Sequence, residues 1–489
     1  MPYTGLEKFN NLKQNYDAII IGGGPNGLSA GIELRREGVS VLLLEARENI
    51  GGGTRTTELT LPGFRHDYCS AVHPTGILSP YWCQLPLDEY GLEWVKPSAS
   101  VAHPLDKEEA VLLTNSVEET AANLGIDGQA WQRMVRPFLK NPHGLLEDAL
   151  KPLGLPKNPM LMARFGIKAM LPATWLAKLQ FKGKRARALL AGNAAHSILP
   201  LDMAFSSAVA LMFALMGHVE DWPVAKGGSE SITRALKAYF LSLGGKIQCN
   251  TKIDRINQLP EAKVYLFNTD PYQLAAIAEA VLPQNYVRRL RRYHFGPGVF
   301  KIDWALDDSI PWNDPRCLKA STVHVGGTIE EIAHSERAAW EGKHTDKPFV
   351  MVCQQSEFDA SRAPEGKQTG YAYCHVPNGS ERDMIEAIEN QIERFAPGFK
   401  DLILARHTTG TKAFYQYNPN YFGGAITGGA ANFSQLFTRP VARLDPYSTP
   451  NPKIFICSAS TPPGGGVHGM CGYYAARSSL KRLRLGKAR

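Results

Sequence analysis

The chain has 489 residues, enough for two or three cooperating lobes that each bury a core. Its hydrophobic content of 44% is that of an ordinary globular protein, and 45 glycines with 33 prolines imply many turns and long loops. The formal net charge of +8 comes with no recognised nucleic-acid-binding module, so nucleic acid is not expected as a partner; solvated faces and contact with anionic lipid remain.

Tyr16 to Ile21 is an apolar, β-branched run and reads as a buried strand. Gly22, Gly24 and Gly27 follow as G-x-G-x-x-G: a tight turn, a close approach to a pyrophosphate, and close packing of the next helix. Leu28, Ile32 and Leu34 supply that helix with an apolar stripe, and Gly38 suits its C-terminal cap. Val39 to Leu44 is the next strand and ends at Glu45, 18 residues past Gly27. An acidic side chain there accepts hydrogen bonds from a ribose and repels a 2′-phosphate. Strand, glycines, helix, strand and acid in this order predict a bound dinucleotide, without separating FAD from NAD.

Residues 115–221 read as mostly helical, divided by prolines. Within them Met203 to Gly217 is apolar for 15 residues, short of the roughly 20 a membrane span needs. A buried core helix is the expectation there; an interfacial segment or the lining of an apolar tunnel stays open. Gly227 and Gly228 form a turn, Ser229 or Ser231 caps a helix ending before Gly244, and Ile247 to Ile256 reads as a strand. Ala262 to Asn268 is another strand. Alternation at 299–304, 322–325, 349–352 and 371–375 predicts antiparallel strands in a separate sheet, and 381–395 an amphipathic helix. A strand from Ile454 to Cys457, a Pro/Gly loop and a helix from about Met470 to Leu483 end the chain. The first βαβ unit lacks strands for a full doubly wound sheet, and those near 247 and 454 can complete it.

Basic residues gather at 178–187, 288–292 and 481–489. The eight cysteines show no C-x-x-C spacing, so neither a disulfide framework nor structural zinc is expected and a reducing compartment fits. Residues 1–15 read as a polar lead-in with no secretory signal. A cytoplasmic protein is the expectation, with peripheral contact at the inner face of a membrane left open beside a simply solvated surface.

Three stretches carry a family resemblance: LLLEARENIGGGTRTTELTLPGFRHDYCSAVHP at 42–74, GGSESITRAL at 227–236 and NPKIFICSASTPPGGGVHGMCGYYAA at 451–476. With the opening glycines they resemble the phytoene-desaturase-like FAD-dependent oxidoreductases of the amine-oxidase-type flavoprotein superfamily. The similarity is closest to the branch with the pyridine-nucleotide-disulphide-oxidoreductase-domain proteins, and it touches nearly the whole chain. It implies a Rossmann-like FAD-binding domain built from discontinuous segments, α/β plus α+β overall, with a second lobe of mixed sheet and helices for substrate. The expected division is 16–110, 222–298 and 431–489 for FAD, 111–221 for a helical substrate- or membrane-facing lobe, and 299–430 for the substrate-binding sheet and helices.

Carried over residue by residue, the resemblance implies FAD as cofactor. Gly22, Gly24, Pro25, Asn26 and Gly27 hold its pyrophosphate, and Glu45 and Ala46 its ribose. Gly51, Gly52, Gly53 and Thr54 pass beside the pyrophosphate and ribityl chain. Members often carry Arg where this chain has Gly53, and Arg55 is the candidate for that charge. Ile253 is placed near the adenine, and Gly465, Gly466, Val467 and His468 near the flavin, where a helix N-terminus favours negative charge on the reduced ring. Tyr421 and Phe422 are candidates for a pocket above the ring.

The implied chemistry is desaturation or isomerisation of an apolar, polyene or isoprenoid substrate, with a hydride equivalent passing between substrate carbon and flavin N5. His66, His73 and His468 are the candidate proton donors or acceptors; for each, a structural hydrogen bond is the competing reading. No metal ligation is expected. A second G-x-G-x-x-G after a strand is absent, so oxygen or a quinone is the expected electron acceptor. A low-turnover flavin scaffold acting through protein partners and a soluble amine oxidase are the alternatives.

Overall fold

A computed structural model describes residues 16–487; the lead-in 1–15 and the end of the basic 481–489 run lie outside it. Among the described residues, five parallel strands form one sheet in the order Ile454–Ile456, Ala262–Phe267, Tyr16–Ile21, Val41–Leu44 and Lys246–Gln248. Ile20 lies between Leu266 and Leu43 in register. The central strands are apolar on both faces because both are covered. On one side Ile20, Leu43 and Leu266 pack with Leu28, Ile32, Phe240 and Ala476 from the helices Pro25–Arg36, Glu230–Ser242 and Met470–Lys487. On the other, Ile19, Leu42 and Phe267 meet Leu274 and Val287. The sheet is thus assembled from the beginning, middle and end of the chain.

The strand expected over 247–256 pairs only across Lys246–Gln248. Asn250 takes a left-handed φ of 52°, which breaks the extended run. The chain then bonds to the loop after Leu44: the Thr251 N–H donates to the Glu45 carbonyl at 2.8 Å.

A second sheet has, among the described residues, seven strands in the order Ile403–Thr409, Gly298–Leu306, Gln368–Val376, Val350–Cys353, Ala320–Val325, Ala99–Leu105 and Glu108–Leu113. The four expected strands are present. The two at 99–113 move to this sheet from the nucleotide segment that was expected to run to 110, because Val101 pairs in parallel with Thr322. Pro104 argues locally against a strand, and the structure accommodates it at a register shift between His103 and Leu105. The helix expected over 381–395 forms as Ile385–Phe395.

Alternation gives this sheet two different faces. Phe300, Ile302 and Trp304 pack with Ile388, Ile392 and Phe395 in an apolar layer. The opposite face carries Lys301, Asp303, Tyr371, Tyr373, His324 and Thr322, aligned across neighbouring strands. Against this second sheet packs a helical lobe, whose core around Trp131, Leu189, Leu211 and Leu215 takes in Val101, Leu113 and Met351 of the strands. The stretch from Met203 becomes the helix Ser206–Val219. No described helix is long and apolar enough to cross a membrane.

Candidate functional site

The carboxyl ends of the parallel strands open into a cavity of about 1030 Å³. This is where ligands bind in open α/β sheets, because loops diverge there and helix N-termini converge. Gly24, Pro25 and Asn26 form part of its wall, with Gly52, Gly53 and Thr54 beside them and Gly465, Gly466 and Val467 across. Two glycine elements from the start of the chain and a third from its end thus face one space.

The glycines are set by steric demand. A Cβ on Gly27 would stand 2.0 Å from the Gly22 carbonyl oxygen, so only glycine lets the helix start this close to the strand. A Cβ on Gly52 would stand 3.1 Å from Gly24 Cα, so the second glycine element leans directly on the first. Gly22, Gly51 and Gly52 have φ of 105°, 137° and 56°, which side chains rarely adopt.

These residues fit a dinucleotide. The helix Pro25–Arg36 begins at the cavity with no side-chain cap and no acidic residue in its first turn, so its positive end is left for an anion. Asn26 Oδ1 is buried and has no protein partner among the described residues. The final helix likewise has no acid in its first turn.

Glu45 is 7% exposed. Its Oε2 accepts the Gly23 N–H at 2.8 Å and its Oε1 the Arg47 N–H at 2.9 Å, so it clamps the turn while keeping lone pairs free. Arg55 lies 3.6 Å from Glu45 Oε1 and donates to the Asn49 and Gly52 carbonyls, folding over the loop that holds the second glycine pair. Ala46 is exposed, and Ile253 is buried beside Leu42 and Leu44 on the far face of the sheet.

The three candidate histidines are placed behind the cavity wall rather than in it. His66 bonds to Thr60 Oγ1 at 2.8 Å and sits 3.6 Å from Asp303. His73 bonds to Ser229 Oγ at 2.8 Å. His468 accepts the Met470 N–H through Nδ1 at 3.1 Å and so caps the final helix. Burial, reinforced by Lys301 and Arg362, depresses His66 to about 3; burial depresses His73 and His468 to about 4. All three are neutral imidazoles near neutral pH with local structural bonds.

Several wall residues carried no sequence signal of their own. Asn268 follows the strand Ala262–Phe267 and donates from Nδ2 to the Gly22 carbonyl at 3.2 Å. Asn420 ties that corner together by accepting the Asp270 N–H at 2.8 Å. Ser458 and Ser460 follow the strand Ile454–Ile456. Position just past a parallel strand is the signal that finds Asn268 and Ser458. Tyr421 is in the wall, whereas Phe422 packs with Tyr272 and Phe295 outside it.

Away from the glycines the wall becomes apolar. The helix Ser206–Val219 turns Ala208, Val209, Met212, Phe213 and Met216 to the cavity and Ala210, Leu211, Ala214 and Leu215 to the lobe's core. Core helix and tunnel lining are thus two faces of one helix. Met162, Phe165 and Met170 continue the lining to the mouth.

A family profile described as an NAD(P)-binding Rossmann-like domain matches residues 20–82. The mouse pyridine nucleotide-disulfide oxidoreductase domain-containing protein 2 is 25% identical, over 97% of this chain and 94% of its own. The 4,4'-diapolycopen-4-al dehydrogenase of Metabacillus indicus is 24% identical, over 92% and 93%. A putrescine oxidase structure superposes with a TM-score of 0.60 at 17% identity, covering 97% of this chain and 100% of that one. Cradle, sheet order and these likenesses agree: over nearly its whole length the chain is similar to FAD-type oxidoreductases of the amine oxidase/desaturase superfamily.

Proposed function

We propose that the protein oxidises or isomerises an elongated, largely apolar substrate of polyene or isoprenoid type, held in this cavity against FAD. The observation that carries the reading is continuity: one cavity joins the glycine cradle to the Met162, Phe165, Met212 and Phe213 wall. Bound FAD supplies an acceptor at N5 for a hydride equivalent from a substrate carbon. The glycine elements bring backbone to the cofactor, the two helix N-termini stabilise negative charge, and the apolar helices exclude water and orient the substrate. Oxygen or a quinone is the proposed electron acceptor.

An amine substrate is less well served. Among the described residues, the wall's carboxylates are Asp148 and Asp270, and both are engaged. Asp148 binds Lys151 and the Lys157 and Asn158 N–H groups, and Asp270 caps its helix. An ammonium group finds no free counter-charge there.

Delivery from a lipid surface is part of the proposal. Leu153, Phe433 and Leu444 line the mouth while 78%, 68% and 108% exposed, and Leu155, Met160, Trp175 and Leu179 of the helical lobe are exposed apolar side chains as well. Asp148 and Asp202 bracket a stretch with nine Lys and Arg and no acid, which suits anionic head groups. The run at 182–187 contributes less than its sequence suggests. Arg185 donates to the Asn123 and Glu109 carbonyls, Arg187 to the Phe181 carbonyl, and Lys184 pairs with Glu108.

The test is anaerobic titration of the FAD-loaded protein with isoprenoid and polyene substrates, with putrescine as the amine control. Bleaching by an apolar compound supports the reading. Bleaching by amines alone overturns it in favour of an amine oxidase, and flavin that none of them reduces favours a low-turnover scaffold.

A further inference from the structure

The apolar cavity ends in a polar patch that a pure hydrocarbon would leave unused. On the second sheet, Thr322 lies opposite Cys353, which lies opposite Tyr371; His324 lies opposite Met351, which lies opposite Tyr373. All six side chains share one face, and five of them, all but His324, line the cavity. His196 joins from the helical lobe, with its Nε2 2.9 Å from His324 Nε2. Trp222 and Phe213 box the His196 ring at 5.4 Å and 4.9 Å.

The hydrogen-bonding groups here are poorly satisfied by the protein. Among the described residues, the Tyr373 hydroxyl meets only the Met351 thioether, at 3.1 Å, and the Thr322 hydroxyl only the Cys353 thiol, at 4.0 Å. His196 has no protein partner at Nδ1 among the described residues. Phe and Val would fill the places of Tyr373 and Thr322 without burying hydroxyls against sulfur, a weak partner.

We propose that this inner end is a subsite for one uncharged hydrogen-bonding group, a hydroxyl or carbonyl, on an otherwise apolar substrate, bound by Tyr373, Thr322 and His196. The inference rests on the cavity being the substrate chamber and narrows the substrate from a plain hydrocarbon to an amphipathic one. The anchor is itself uncharged near neutral pH. Burial raises the Tyr373 phenol well above its ordinary value and holds His196 at about 3, with His375 adding to the latter. Among the described residues, neither a carboxylate nor a cation lines this end, so an ionic head group has no partner there. The apolar body of the ligand extends past Met212 and Phe165 towards the mouth.

Trp222, 1% exposed and part of this wall, provides a local reporter. The FAD-loaded protein is titrated with geranylgeraniol and with the hydrocarbon that has hydrogen in place of its hydroxyl, following Trp222 fluorescence and flavin absorbance. The alcohol is expected to bind about tenfold tighter or more, as one well-made buried hydrogen bond allows. Tyr373→Phe combined with Thr322→Val is expected to bring the two affinities together by weakening the alcohol alone, with FAD content and melting temperature unchanged. The single Tyr373→Phe variant, expected to close part of the gap, stands in if the double variant folds poorly. Equal affinities in the wild type, or a preference that survives the substitutions, overturn the subsite while leaving the chamber intact. Unchanged signals with both probes overturn the chamber and the subsite together.

Discussion

Glu45 Oε2 accepts a hydrogen bond from the Gly23 N–H at 2.8 Å, although 22 residues separate them. The acid at the end of the second strand therefore holds the glycine turn in shape, besides offering its remaining lone pairs to a ribose.

The bond gives substitutions at Glu45 two graded outcomes. Glu45→Gln keeps an acceptor for Gly23, so FAD affinity falls modestly. Glu45→Ala leaves that buried N–H unsatisfied and removes the charged partner, which costs about 1.5–3 kcal/mol, roughly ten- to a hundredfold in Kd. Fluorescence titration of apoprotein with FAD measures both. Unchanged affinity in Glu45→Ala would place the adenosine elsewhere.

Gly27→Ala tests the cradle without touching charge. The added Cβ would meet the Gly22 carbonyl oxygen at 2.0 Å, so helix and strand must part. A cost of about 3 kcal/mol or more and loss of bound flavin are expected, against the small effects of ordinary surface changes. Chemical denaturation with and without added FAD reads it. A variant as stable as wild type would refute the packing described for the first helix.

Acid should destabilise the fold well above the carboxylate range. Among the described residues, burial keeps seven histidines from protonating in the folded state: His66 and His196 until about 3, His73, His103, His218 and His468 until about 4, and His324 well below its ordinary value. The unfolded chain protonates them near 6.5. Their contribution is therefore complete above about pH 6.5 and lost as pH falls through the folded values, at up to about 1.4 kcal/mol per pH unit for each. Asp303 works the other way: burial raises it to about 6, so its contribution is complete below 3.8 and lost as pH rises through 6. Burial also raises Asp221, Asp270 and Glu357, which oppose in the same sense, while His344 and His407 are lowered and add to the histidines; the more numerous histidines leave a net fall. Calorimetric scans should show the melting temperature dropping steeply from pH 6.5 to 4. A flat profile would mean these rings are solvated.

The lipid-docking reading makes the exposed apolar side chains, rather than the 182–187 run, the place to mutate. Leu153, Leu155, Met160 and Leu444 are 78%, 95%, 87% and 108% exposed, so replacing them by Ser should change stability little. Each leucine buried in an apolar phase contributes about 1.5–3 kcal/mol, so co-flotation with anionic vesicles should fall at least about tenfold while FAD content holds. Wild-type protein that stays with the aqueous fraction at low salt would remove the docking model.

The amino-acid sequence by itself determined the dinucleotide cradle and the strands around it, because those signals are local. Gly22, Gly24, Gly27 and Glu45 follow the spacing that one strand–turn–helix–strand unit requires, and alternation at 299–304 and 371–375 reports a sheet with two unlike faces. Tertiary structure alone decided the rest. Pro104 argued against a strand that pairing with Thr322 and its neighbours sustains, and Arg185 and Arg187 read as solvated charge until the Asn123 and Phe181 carbonyls were seen beneath them. The helix from Ser206 could be assigned its two faces only once a core lay on one side and a cavity on the other. The polar patch of Thr322, Tyr373 and His196 has no sequence motif, because cross-strand register and a helix packed over the sheet bring its members together. Spacing along the chain reports what one backbone segment can do; which side chains share a wall is set by hydrogen-bond rows and packing between segments hundreds of residues apart.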